Sequence, residues 1–393
     1  MNGMGLGTSF LGAISHAQSR KIGVIMNIKS LLLGSAAALA AVSGAHAADA
    51  IVAAEPEPLE YVRICDAYGA GYFFIPGTET CLKIGGKVRT EGEWYNAYNR
   101  DSHQGTLWHT RAELNVDTAT DTEYGPLKTE TIVRWDWNDG GSTSTNLLWS
   151  YISLGGFTVG KKDSQYNLYM GYAGDVINDD VIYDGPYELN QLTYEYDGGN
   201  GFSAVISLED SNSATTGSAS YGASWWTDDK TNHYAPDVVA GAGFKSGAWG
   251  FKVVGGYDSI VEQGAIKARV DADFGAFTAF LMGGWNTDGD KLNKYAGTNQ
   301  DVSACTAPNG TVNASKCGWG DWAVWGGVGV PFNDKLKWNL QLAYSDSKIF
   351  EATTNLKFNP VKNLLVEPEL TYVHYDYAHD DTVSGILRFE RNF

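Results

Sequence analysis

Long apolar runs are what this sequence most lacks. Beyond its first fifty residues, no stretch approaches the roughly 20 consecutive apolar residues of a membrane-spanning helix. Proline is scarce, 10 in 393 residues, so little interrupts an extended backbone. Basic residues are in deficit, 28 against 46 acidic ones, and the formal net charge is −18. That charge argues against nucleic acid or anionic lipid as partners of the whole molecule. The four cysteines show neither CxxC spacing nor a neighbouring histidine cluster, so they give no metal-site signature. His103, His109, His233, His374 and His379 are scattered, without the spacing of a catalytic constellation. An enzyme is the reading these absences weaken most, and no cofactor is expected.

What the chain has in quantity is glycine, 47 residues, and aromatic residues, 13%. With few helical periods, this composition indicates a largely β protein. The pattern is clearest from Leu82 to Asn96. Leu82, Ile84, Gly86, Val88, Thr90, Gly92 and Trp94 share one face, and Lys83, Lys87, Arg89, Glu91, Glu93 and Tyr95 share the other. Trp108 to Thr118 and Leu127 to Trp137 repeat it, with Arg111, Glu113, Lys128, Glu130, Arg134 and Asp136 on the charged face. Further runs begin near Leu147, Phe157, Asn190, Gly201, Val238, Trp249, Ala265, Phe277, Trp322, Leu336, Phe350, Leu364 and Val383, making about sixteen strands. Tight turns such as Gly155-Gly156 and Asp197-Gly198-Gly199-Asn200 alternate with longer polar loops, among them Asp163 to Glu188, Asp210 to Ala235 and Asn286 to Gly320.

This alternation predicts an all-β, antiparallel, up-and-down transmembrane barrel. So many strands enclose more volume than side chains fill, and inward charges are tolerable only if the interior is wet. The outward face then meets hydrocarbon, with Trp94, Trp135, Trp137, Trp285, Trp322, Trp338, Tyr344 and Tyr372 as an interfacial girdle.

The chain divides into four parts. Residues 1–25 read as an upstream extension, and 26–47 as a secretory signal peptide, with an apolar stretch from Leu31 to Val42 and a cleavage site at Ala45-His46-Ala47. Removing residues 1–47 takes away Arg20, Lys21 and Lys29 and no acid, moving the charge from −18 to −21. Residues 48–80 form a periplasmic segment with a stiff Glu55-Pro56-Glu57-Pro58 linker, and 81–393 form the barrel. In an exported chain the cysteines are expected to pair, Cys65 with Cys81 and Cys305 with Cys317, on sequence adjacency alone among three possible pairings.

Val62-Arg63-Ile64-Cys65-Asp66-Ala67-Tyr68-Gly69-Ala70-Gly71-Tyr72-Phe73, Ile75-Pro76-Gly77-Thr78-Glu79-Thr80-Cys81-Leu82 and the terminal Phe393 together resemble the alphaproteobacterial general porins across residues 48–393. The resemblance implies trimers of sixteen-stranded barrels embedded among outer-membrane lipid and lipopolysaccharide. It implies a last Phe read by the assembly machinery, and a third loop folded inward to narrow a channel for small hydrophilic solutes. By order, that loop is Asp163 to Glu188, which carries Asp163, Asp175, Asp179, Asp180, Asp184 and Glu188 and no Lys or Arg. Lys83, Lys87, Arg89, Arg111, Lys128, Arg134 and Arg388 are expected on a basic wall opposite, setting a field across the constriction. The competing arrangement pairs these cations locally with Glu91, Glu93 or Glu113. A mild cation preference follows from the acidic loop. A substrate-selective channel for a sugar or an anion is the alternative function, kept open by Tyr166, Tyr169, Tyr172, Tyr183 and Tyr187. Gly86, Thr90 and Gly92 on the outward face, and a fourth run that is apolar on both faces, favour a subunit contact on the N-terminal side, and a groove that packs the inserted loop explains the fourth run equally well.

Overall fold

The computed structural model describes residues 62–96, 105–211, 215–216, 219–220, 234–297, 318–376 and 380–393. The expected upstream extension and signal peptide, and Cys305 and Cys317, lie outside the described residues. Sixteen strands form the barrel: β1 Cys81–Asn96, β2 Gly105–Thr120, β3 Leu127–Asn138, β4 Ser144–Leu154, β5 Phe157–Asp163, β6 Glu188–Asp197, β7 Phe202–Glu209 and β8 Asp237–Ser246. They continue as β9 Trp249–Asp258, β10 Gln263–Asp273, β11 Thr278–Asn286, β12 Trp322–Asn333, β13 Leu336–Ser345, β14 Ile349–Phe358, β15 Leu364–Tyr375 and β16 Asp380–Asn392. Each strand pairs antiparallel with the next, and β16 pairs back onto β1, so no edge is left open.

The period of two explains the faces. Ile84 and Val88 on β1, Ile152 on β4, Leu192 on β6, Ile206 on β7, Leu281 on β11, Leu370 on β15 and Leu387 on β16 are exposed outward, as hydrocarbon requires. Trp94, Trp135, Trp137, Trp285, Trp322 and Tyr372 of the expected girdle are exposed as well. The last strand closes in register, with Arg388 opposite Glu91 and Glu390 opposite Arg89. Phe393 and Gly86 then exchange backbone hydrogen bonds, Phe393 N–H to the Gly86 carbonyl at 3.0 Å and Gly86 N–H to the Phe393 carbonyl at 3.1 Å.

Three local features go beyond the pattern. A Cβ at Gly86 would meet the Glu113 carbonyl oxygen at 2.1 Å and the Phe393 ring at 3.0 Å, and one at Gly92 would meet the Trp108 ring at 3.6 Å. Both glycines are therefore already covered by rings of the same chain. Strand β4 is apolar on both faces because Trp149 points inward, where its indole N–H donates to Asp163 at 2.9 Å, while a bulge opposite Ile132 and Val133 leaves Leu147 exposed outward. Long and short connections do not alternate strictly, since the loop end of the barrel also carries short links such as that between β13 and β14.

Before β1, a short hook runs back along the barrel wall. A 3-10 turn at Asp66–Tyr68 leads to the two-residue strand Phe73–Phe74, which pairs with Leu82 and Cys81. The Cys65–Cys81 disulfide, with Cα atoms 6.0 Å apart, fixes the hook as the sequence predicted. Tyr68 donates its hydroxyl to Asp121 at 2.5 Å, across to the turn between β2 and β3. That bond holds the Tyr68 phenol up at about 12.

Candidate functional site

Inside the barrel the residues fall into two groups, an inserted loop on one wall and a charged lattice on the other. The loop between β5 and β6 begins with the one-turn helix α1, Gln165–Leu168, capped by Ser164, whose Oγ accepts the Tyr166 N–H at 3.1 Å. Its polar contacts run along the wall from β7 to β15. Tyr169 donates to the Ser203 carbonyl on β7, Lys267 on β10 donates to Asn167, and Arg269 on β10 donates to the Tyr172 carbonyl. At the tip, Glu369 on β15 accepts the backbone N–H groups of Ile177 at 2.5 Å and Asn178 at 2.8 Å. Asn355 on β14 donates to the Asp175 carbonyl and Gln341 on β13 to the Asp179 carbonyl. On the return, Trp325 on β12 donates to the Ile182 carbonyl at 3.0 Å.

An apolar layer fills the space between loop and wall. Tyr166, Met170, Ala173 and Ile182 of the loop pack with Val239, Val254, Met282, Trp325, Ala343 and Ile349 of the strands. This inward apolar face is the departure from a uniformly polar lumen.

The six loop acids separate by environment. Asp163 is buried at the loop's root, bonded to Trp149 and Tyr172. Asp184 is fully buried, accepting from Asn167 at 3.0 Å and from the Ala173 N–H at 3.2 Å. Burial pushes its carboxyl up to about 6. Asp175 is exposed and ion-paired with both Lys337 on β13, at 2.6 Å, and Lys357 on β14. Burial opposes its charge, yet the two lysines prevail and hold the carboxyl below its ordinary value. Asp179 and Asp180 are partly exposed at the tip, and burial together with Asp180 and Asp184 pushes the Asp179 carboxyl well up. Glu188 is the first residue of β6 and partly exposed. Asp163 and Asp184 thus frame the loop and do not face the open lumen.

The predicted basic residues lie on the other wall, and they are not a bare cationic surface. Strand register places Glu367, Arg388, Glu91 and His109 in one row, Glu390, Arg89, Arg111 and Asp136 in the next, and Lys87, Glu113 and Arg134 in a third. Arg388 pairs with Glu91, and Arg89 with Glu390 at 2.6 Å. Arg111 pairs with Asp136 at 2.6 Å, Arg134 with Glu113 at 3.0 Å and Lys87 with Glu113 at 3.3 Å. His109 bridges Glu91 and Asp136 at 2.7 and 2.8 Å. The local pairing that competed with an unpaired basic wall is what these strands form. Lys83 and Lys128 stand nearer the turn end: Lys83 lies opposite Asp117 and over the Tyr72 ring, and Lys128 opposite Ala119.

Several residues of this interior had no sequence signal. Lys267 and Arg269 on β10, Lys337 on β13, Lys357 on β14 and Glu369 on β15 are ordinary charged positions of alternating strands, and only the path of the loop selects them. Glu91, Glu93 and His109 come close enough to hold a metal ion, but Arg388 and Arg89 already occupy Glu91.

A sixteen-stranded closed barrel, apolar outside and charged inside, with a loop folded into its lumen, defines an outer-membrane channel protein. The profile of the Porin subfamily matches residues 49–389, and the chain belongs to that family. It is 41% identical over 391 residues to porin Omp2b of Brucella suis biovar 1, covering 94% of this chain and 100% of the relative. The figures are the same for porin Omp2b of Brucella melitensis biotype 1. Among solved structures, the outer-membrane channel DcaP of Acinetobacter baumannii matches with a TM-score of 0.59 at 16% identity, over 81% of this chain and 99% of that one. The anion-selective porin from Comamonas acidovorans matches at 0.53 and 14%, over 80% and 100%. At such identities the two structures share the fold. The chain is therefore a multi-pass outer-membrane porin, and its relatives are channels, not enzymes.

Proposed function

We propose that the barrel is an open passive diffusion pore for small hydrophilic solutes and ions, narrowest between the third loop and the lattice of β16, β1, β2 and β3. The observation that carries this is the lattice itself. Cations and anions interleave in register, and each cation finds an acid partner even where Arg89 and Arg111 stand side by side, which lines the path with fixed charge of both signs and little net charge. Such a wall suits many small polar solutes and strongly rejects neither sign of ion.

A weak cation preference is the selectivity proposed. Asp180 and Glu188 favour it, while Asp175 is neutralised by Lys337 and Lys357. A sugar-selective channel finds less support. Tyr166 and Tyr183 are buried, Tyr169 packs against the wall, and only Tyr172 and Tyr187 stack, with centroids 6.0 Å apart. A homotrimer is proposed as the assembly, in line with the family.

Single-channel recording in planar bilayers under a salt gradient tests this reading. Large ohmic steps in groups of three, insensitive to neutral sugars and reversing on the cation side, are expected. Small steps blocked by one sugar would replace the general pore with a selective channel.

A further inference from the structure

We propose that the connection between β11 and β12 supplies a second inserted element, which braces the third loop through Glu209, Lys294 and Tyr295 as positioning residues. The proposal rests on the third loop setting the aperture.

Residues 292–297 turn into the barrel and are buried without a break. At their centre Lys294, with its side chain only 4% exposed, is ion-paired with Asp237 at the start of β8. Its Nζ also donates to the Asp210 carbonyl at 2.7 Å, and its backbone N–H to Asp258 at 2.8 Å. A buried ammonium persists only where counter-charge and acceptors surround it, so this peg has one seat.

From that seat the segment reaches both ends of the third loop. Tyr295 donates to Glu209 at 3.1 Å, and the same carboxylate accepts from Ser164 Oγ at 2.8 Å and from the Gln165 N–H at 3.0 Å, where α1 begins. On the returning side, Tyr183 donates to the Lys294 carbonyl at 3.0 Å. Trp319, which leads back into β12, donates to the Tyr183 carbonyl at 2.5 Å. Space for these rings is built into the strands. A Cβ at Gly256 would stand 2.5 Å from the Tyr295 ring, and one at Gly284 would stand 2.5 Å from Trp319. The strand wall holds the tip through Glu369, the root through Glu209 and Lys267, and the return through Trp325. The brace adds a second layer behind Glu209 and Tyr183, so the root and the return are held from two sides.

The test is single-channel recording of the full-length porin carrying Lys294→Met, Lys294→Arg or Tyr295→Phe, with Glu369→Ala as a control at the loop tip. Heat resistance of the barrel on gels reports folding. Tyr295→Phe keeps the ring and loses one hydrogen bond to a charge, so current flicker is expected to rise about tenfold in a fully folded barrel. Lys294→Met should also lower the voltage at which channels close, and Lys294→Arg should restore wild-type traces. Wild-type noise and closing voltage in Tyr295→Phe and Lys294→Met, alongside altered Glu369→Ala channels, would overturn the brace and leave the aperture reading standing. Unchanged behaviour in all of them, Glu369→Ala included, would remove both.

Discussion

Asp184 shows how burial and charge interact at a single residue. It is fully buried and its carboxyl is raised from 3.8 to about 6. Since the folded value lies above the unfolded one, the protonated form is the one folding favours. That contribution is complete below about pH 4 and is lost as pH rises through about 6. Thermal unfolding of the detergent-solubilised porin should therefore show this part of its stability declining across that window. In Asp184→Asn the slope should disappear, at the cost of a lower Tm throughout, because one of the Asn167 and Ala173 hydrogen bonds is lost. Arg388 poses the opposite problem. Its guanidinium answers Glu91 and approaches Glu367 to 3.7 Å. Arg388→Gln leaves more negative charge along the path, and the zero-current potential in a salt gradient should move toward the cation side.

Among the elements, the third loop is the one whose position depends most on others. Its tip rests on Glu369, which is buried and accepts two backbone N–H groups. Each bond to a charged acceptor contributes on the order of 1.5–3 kcal/mol. Glu369→Gln keeps one acceptor oxygen, so channel openings should become noisy at unchanged barrel stability, which bilayer recording and heat-shift gels read separately. The wall behind the loop is equally constrained. Gly284→Val would push a side chain into Trp319, and overpacking of this kind costs about 1–3 kcal/mol. The expected result is a lower unfolding temperature, compensated in part by a smaller ring at position 319.

At the scale of the whole molecule, the barrel is a closed ring of antiparallel pairs whose last bond is the Phe393–Gly86 exchange. Each strand is a weak signal, but sixteen in alternation leave one solution, since the apolar faces must all point to the same solvent. Gly86 and Gly92 were the residues that seemed to invite a neighbouring subunit, and both are covered by rings of the chain itself. In the proposed trimer, a contact on this face would be made by Phe393 and Trp108 and not by the glycines beneath them. Cross-linking in native membranes followed by mild-detergent electrophoresis is expected to give a three-chain species that Phe393→Ala weakens.

The sequence by itself determined a strand count of about sixteen, the sense of each face and the order of the loops, and its spacing favoured the pairing of Cys65 with Cys81. Those properties follow from period-two patterning, turn chemistry and local spacing, all of which are written along the chain. It also marked the third loop as acidic and the facing strands as basic. Only the tertiary structure decided what those charges do. Burial removed Asp163 and Asp184 from the lumen, two lysines from distant strands neutralised Asp175, and register turned a row of cations into a paired lattice. Partners brought together from opposite ends of the sequence, such as Arg388 and Glu91, leave no trace in spacing. The inward turn of residues 292–297 was hidden for the same reason: its polar surface resembles any loop until Asp237, Asp258 and Glu209 gather around it.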